Sequence, residues 1–175
     1  MSMSLHVTAM TLCNWFTHVM AVTHCCPADS NTQTPPFASP AASTTISSNF
    51  SLDFTLPEAA ASGTVKLTLT RSAGTADSGS PHIITFASAF ETAAQHTMTV
   101  PPLSGAASSG YEIASISSNR GTATDLVNGA TYTVRLEYQD AVSNMAVSVE
   151  HSSIVVGEGG CMGNIGMKML GWMWM

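Results

Sequence analysis

Side chains able to do chemistry are thinly spread in this chain, and none of them forms a familiar catalytic spacing. In the patterned middle of the sequence the histidines are His82, His96 and His151. The acids, such as Asp77, Glu91, Asp125 and Asp140, stand singly in loops and at strand ends. No GxSxG elbow, phosphate-cradling glycine loop or HExxH pair occurs. His96 and His151 sit in strand-like segments among Ser and Thr, which predicts solvent-facing side chains. The expectation is a protein that is not an enzyme and holds no cofactor.

Metal chemistry finds little more support. Cys13, Cys25, Cys26 and Cys161 all lie outside the patterned middle, and adjacent Cys25 and Cys26 do not make a CxxC knuckle. For calcium the candidates are Glu58, which follows Pro57, and Asp140 with Asn144 in a late loop. Calcium takes six to eight oxygen ligands, and the paired-acid patterns that supply them, DxD or DxNDN, are missing. The simpler expectation is that Asp140 and Asn144 cap their own turn through backbone N–H groups. Asn49-Phe50-Ser51 fits the N-glycosylation acceptor pattern and lies where the patterned region begins.

Composition narrows the classes. Only 9% of the 175 residues are charged, and the net charge is −6 with five basic residues, Lys66, Arg71, Arg120, Arg135 and Lys168, no two of them adjacent. A phosphate-gripping surface needs clustered Lys and Arg, so nucleic acid is excluded as a partner. No stretch is apolar for the roughly 20 residues that a membrane-spanning helix needs. The best one, Leu5 to Ala21, is interrupted by His6, Asn14 and His18, and it makes a poor secretory signal.

Four zones follow along the chain. Residues 1–26 form an N-terminal tail without clean periodicity. Residues 27–48 read as a mobile Pro/Ser/Thr-rich linker whose only large apolar residues are Phe37 and Ile46. Residues 49–156 alternate with period two and form the predicted domain. Residues 157–175 are a Gly/Met/Trp tail. In the domain, Phe50, Leu52, Phe54 and Leu56 alternate with polar residues until Pro57 ends the run. Val65, Leu67 and Leu69 mark a second strand, Ile84 and Phe86 a third, and Met98 and Val100 a fourth. Tyr111 to Ile116, Tyr132 to Tyr138 and Ala146 to Val156 complete seven. Seven short strands separated by Gly/Ser/Pro turns, with no helical stretch beyond a turn or two in Ser88–Gln95, predict an all-β, seven-stranded antiparallel two-sheet sandwich with disordered or loosely packed tails.

Two segments carry a family resemblance. In Leu126-Val127-Asn128-Gly129-Ala130-Thr131-Tyr132, a hydrophobic residue and a Gly turn precede a Tyr that opens a strand. This is similar to the tyrosine corner of fibronectin type III domains, where the phenol hydroxyl bonds a backbone group a few residues upstream. Tyr138-Gln139-Asp140-Ala141-Val142-Ser143-Asn144-Met145-Ala146 resembles the Y-x-D-A-x-G-N-x-A ending of bacterial immunoglobulin-like repeats, with Ser143 in place of the Gly. The resemblance spans about residues 49–156. It implies an extracellular or cell-surface module that occurs in tandem in adhesion proteins, with structural roles for Leu126, Gly129 and Tyr132. Its partners would be other domains of the same or neighbouring proteins, or glycans. Two function classes remain: a structural or adhesive spacer, and a carbohydrate- or ligand-binding sandwich. Surface aromatics discriminate between them, and the domain contains no Trp for a sugar platform.

Overall fold

The computed structural model describes residues 31–106 and 112–157. Nine strands appear: β1 (Phe37–Ser39), β2 (Thr45–Ile46), β3 (Phe50–Thr55), β4 (Lys66–Gly74), β5 (His82–Phe86), β6 (Gln95–Val100), β7 (Ile113–Ser118), β8 (Ala130–Tyr138) and β9 (Val147–Val156). They form two sheets, one in the order β1-β3-β6 and one in the order β2-β9-β8-β4-β5-β7, the larger curling as a half-barrel. A short 3-10 turn, Ser88–Phe90, and a one-turn helix, Leu103–Ala106, are the helical elements among the described residues. No helix in them is long and apolar enough to cross a membrane.

The alternation read from the sequence sets which side of each strand is buried. Leu52, Phe54 and Leu56 of the β3 run, Val65, Leu67 and Leu69 at β4, and Tyr132, Val134, Leu136 and Tyr138 of β8 are each at most 1% exposed. Facing sheets bury these rows against one another, and the apolar area they remove from water is the main stabilising contribution. Phe54, Phe86 and Phe90 meet in one aromatic group, with ring centroids 5.3 to 6.2 Å apart.

Three expectations need correction. The strands number nine among the described residues, the sheets hold three and six strands, and the pairing is not wholly antiparallel. The domain also begins before residue 49, because both additional strands lie in the zone expected to be a linker. β1 pairs antiparallel with β3, and β2 pairs parallel with the end of β9, Thr45 opposite Val155. The physical reason is Phe37 and Ile46. Phe37 is 8% exposed and stacks on His151 at 4.6 Å, and Ile46 packs against the core. The zones expected to be tails, 1–26 and beyond 157, lie outside the described residues.

The described residues begin near one pole, the entrance pole, and end near the other, the exit pole. At the entrance pole, Tyr138 donates its hydroxyl to the Gln33 carbonyl at 2.6 Å. At the exit pole, Gly157 N–H donates to the Ile46 carbonyl at 2.8 Å, and Gly129 N–H donates to the Val156 carbonyl at 2.7 Å. β8 runs between the poles, about 26 Å at a rise of about 3.3 Å per residue.

Because Phe37 is a core side chain, Phe37→Ala should cost about 3–5 kcal/mol, the range for large aromatic truncations. Chemical denaturation of the variant checks this. A change within about 0.5 kcal/mol, as for a surface site, would show that the domain does begin at residue 49.

Candidate functional site

A buried cluster of titratable side chains lies at the exit pole, where the loop after β4 folds under the segment that precedes β8. β4 is bulged between Arg71 and Ala73, which turns the loop inward. The Arg71 guanidinium braces that loop from outside, donating to the carbonyls of Gly74 (2.6 Å) and Thr75 (2.8 Å). Inside it, the Asp77 carboxylate collects three donors. Its Oδ1 accepts the Gly79 N–H at 2.8 Å. Its Oδ2 accepts the Tyr132 hydroxyl at 2.7 Å and pairs with His82 Nε2 at 2.6 Å. The Tyr132 oxygen in turn accepts the Val127 N–H at 3.1 Å.

Burial makes these bonds strong. The side chains of His82 and Asp77 are 0% and 3% exposed, and Tyr132 is 0% exposed. Burial alone would raise the Asp77 carboxyl, but the bonds from Tyr132, His82 and Gly79 outweigh it and hold the group below its ordinary value. Burial is also the chief reason the Tyr132 phenol is pushed well up. The Val127 N–H opposes that rise, and the Asp77 carboxylate adds to it. Gly79 is required by close approach. A Cβ there would stand 2.2 Å from Thr124 Oγ1, whose hydroxyl fills the space that the missing side chain leaves.

The arrangement couples loops and presents no reactive atom to solvent. An ionised Asp77 requires His82 to carry its proton on Nε2. The opposite nitrogen, Nδ1, is buried without a hydrogen-bond partner, as is Thr124 Oγ1. A histidine acting as general base needs that second nitrogen aimed at a nucleophile or at water. Here carboxylate, imidazole and phenol tie the β4–β5 loop, β5 and β8 together. Sequence reasoning missed Asp77 and His82 as a pair. An acid in a Gly/Ser loop five residues before a strand-opening His was the one available signal.

The residues singled out from the sequence are placed as follows. Tyr132 is in the core, and its hydroxyl meets the backbone N–H of Val127 five residues upstream. Leu126 is 6% exposed, and Gly129 adopts φ +75 against Thr75. Glu58, at the entrance pole, accepts the Gln33 N–H and the Tyr138 hydroxyl. Asp140 is 2% exposed and accepts both the Asn144 N–H (2.9 Å) and the Asn144 amide (2.6 Å), so the two residues cap their own turn. Burial works to raise the Asp140 carboxyl, and these bonds bring it below its ordinary value. Ser143 takes the left-handed φ of 65 in the position where the resembling motif has Gly. Asn49 is exposed, and its Oδ1 accepts the Ser47 hydroxyl at 3.0 Å. Among the described residues no three of His, Cys, Asp and Glu converge as a metal centre would require. The four cysteines lie outside the described residues. His96 is not solvent-facing: it is 9% exposed, lies tilted against the rings of Phe54 and Phe90, and bonds the Thr92 carbonyl at 2.9 Å.

Compared with known proteins, the chain matches no family model, no curated protein and no solved structure.

Tyr132→Phe removes a hydroxyl bonded on both sides and leaves the Val127 N–H unpaired, which should cost on the order of 1–3 kcal/mol. Tyr132→Ala also opens a cavity and should cost about 3–5 kcal/mol. Denaturant midpoints of the two variants check both figures, and a Tyr132→Phe protein as stable as the parent refutes the buried network.

The Asp77 carboxyl is lowered in the fold, so its contribution is complete above the ordinary carboxylate value and is lost as pH falls through the lowered one. Melting temperature should therefore drop on acidification from the ordinary carboxylate value downward, with a shallower drop in Asp77→Asn. Parallel pH profiles for parent and variant would contradict this.

Proposed function

We propose that this chain is a non-enzymatic structural or adhesive spacer module of an extracellular or cell-surface protein. On this reading it is an immunoglobulin-like or fibronectin type III-like sandwich used in tandem with other domains. The observation that carries the proposal is that the described segment begins at the Tyr138 pole and ends at the Gly129 pole. Copies joined end to end can then follow one another in a line, which is what a spacer requires. The Tyr132–Val127 bond and the left-handed Ser143 add support, since both fall where the resembling repeats need them.

Carbohydrate binding is the weaker alternative. A sugar platform needs exposed rings, and the described aromatics, Phe37, Phe50, Phe54, Phe86, Phe90, Tyr132 and Tyr138, are all buried. An open groove of about 400 Å³ between β1, β2 and the start of β3 is lined by Ala, Ser, Thr, Pro and Ile with Asn49 and Phe50, and it carries no charged side chain.

The full-length chain applied to a glycan array should retain no sugar at micromolar protein. Specific retention would move the reading to a carbohydrate-binding module. Titration with Ca²⁺ to millimolar levels should shift the melting temperature by no more than about a degree, because linkage raises stability only when ligand exceeds its dissociation constant. A rise of many degrees would replace the plain spacer with a calcium-stiffened one.

A further inference from the structure

Sheet edges are where a β protein is open to other chains, and natural edges are blunted by shortness, proline, bulges or charge. Three of the four edges here carry such a device. β1 has three residues, a register shift and Pro40 immediately after it. β2 has two residues. β7 is bulged against β5 where Thr85 gives way to Phe86. β6 is followed by Pro101 and Pro102, but within the strand it carries none of these. Its six residues, Gln95 to Val100, include no charge and no proline, and their register with β3 runs unbroken from Phe50↔Val100 to Thr55↔Gln95.

The ladder shows which backbone groups are left over. Leu56 N–H donates to the Ala94 carbonyl, and antiparallel hydrogen-bonded pairs recur every second residue. His96, Met98 and Val100 therefore bond to β3. The N–H and C=O groups of Gln95, Thr97 and Thr99 point away from it, and no described strand lies on that side. β3 repeats the parity, since its Thr55 N–H turns to the Pro36 carbonyl on the β1 side.

We propose that β6 is a homotypic interface, pairing antiparallel with β6 of a second copy about a two-fold axis at Thr97. In that register Thr97 faces Thr97, Gln95 faces Thr99, and all three outward donors and acceptors of each copy are used. His96 then falls opposite Met98, so the inner faces of the two small sheets continue across the axis as one six-stranded sheet. The outward set Gln95, Thr97 and Thr99 is symmetric about Thr97, so a second copy of the strand is its own complement at this edge. With a net charge of −6 two copies repel one another, and a neutral strand is where they meet at least cost. The inference stands on the sheet edges and is independent of the spacer reading.

Sedimentation of the full-length chain should show a reversible dimer at micromolar concentration. Thr97→Pro removes an outward N–H that the β3 ladder does not use, and it should abolish the dimer. Thr97→Lys, which gains Asp53 as its cross-strand neighbour and so keeps the fold, should weaken the dimer roughly tenfold or more by setting like charges opposite one another. Mixing Thr97→Lys with Thr97→Glu should restore association, a result that only this register produces. Ser117→Lys on the bulged β7 edge should leave the dimer unchanged. A chain that stays monomeric, or a dimer indifferent to Thr97→Lys, overturns the proposal. So does a monomer that pairs only with a foreign strand.

Discussion

The exit pole depends on one buried carboxylate. Asp77 would be an expensive group to hold inside a protein if it stood alone, since removing an ion from water costs several kcal/mol. It is accommodated because a phenol, an imidazole and a backbone amide all donate to it. Each donor belongs to a different piece of chain: β8, the start of β5, and the loop between β4 and β5. Satisfying one charge thus fixes three segments at once. Directional polar bonds set the relative positions of strand ends that apolar packing alone would leave loosely specified.

The opposite pole solves a similar problem by local means. Asp140 is also buried, yet its donors come from Asn144, four residues on, and the turn closes on itself. Tyr138 works there as Tyr132 does at the exit pole, its ring in the core and its hydroxyl on the Gln33 carbonyl. Two tyrosines at the two ends of β8 therefore anchor that strand to irregular chain at both poles.

Much of this was legible in the sequence, and the exceptions have physical causes. β3, β5, β6 and β8 stand out because five or more residues display period two, as Phe50, Leu52, Phe54 and Leu56 do, whereas β7, with Ile113 and Ile116 three apart, and β9 show it only in part. β1 and β2 hold three and two residues, too few for any period, and their Pro/Ser/Thr surroundings read as linker. Only Phe37 and Ile46 marked them. Tyr132 was visible because its corner is local, with Val127 five residues away. Its bond to Asp77 spans 55 residues, and no local spacing encodes such a meeting. His96 was misjudged because its polar neighbours on the outer face, Gln95, Thr97 and Thr99, concealed its place in the alternation with Met98 and Val100.

The parallel pairing of β2 with β9 bears on the order in which the chain can assemble. β1 finds its partner in β3 almost at once along the sequence. β2 must wait for the far end of the domain, and the His151 contact to the Pro40 carbonyl beside it spans 111 residues. Closing so long a loop is entropically unfavourable until the intervening strands have condensed, and contacts of this range slow folding. During synthesis on a ribosome, residues 45–46 therefore emerge early and dock last, completing the larger sheet only after Val155 has left the exit tunnel.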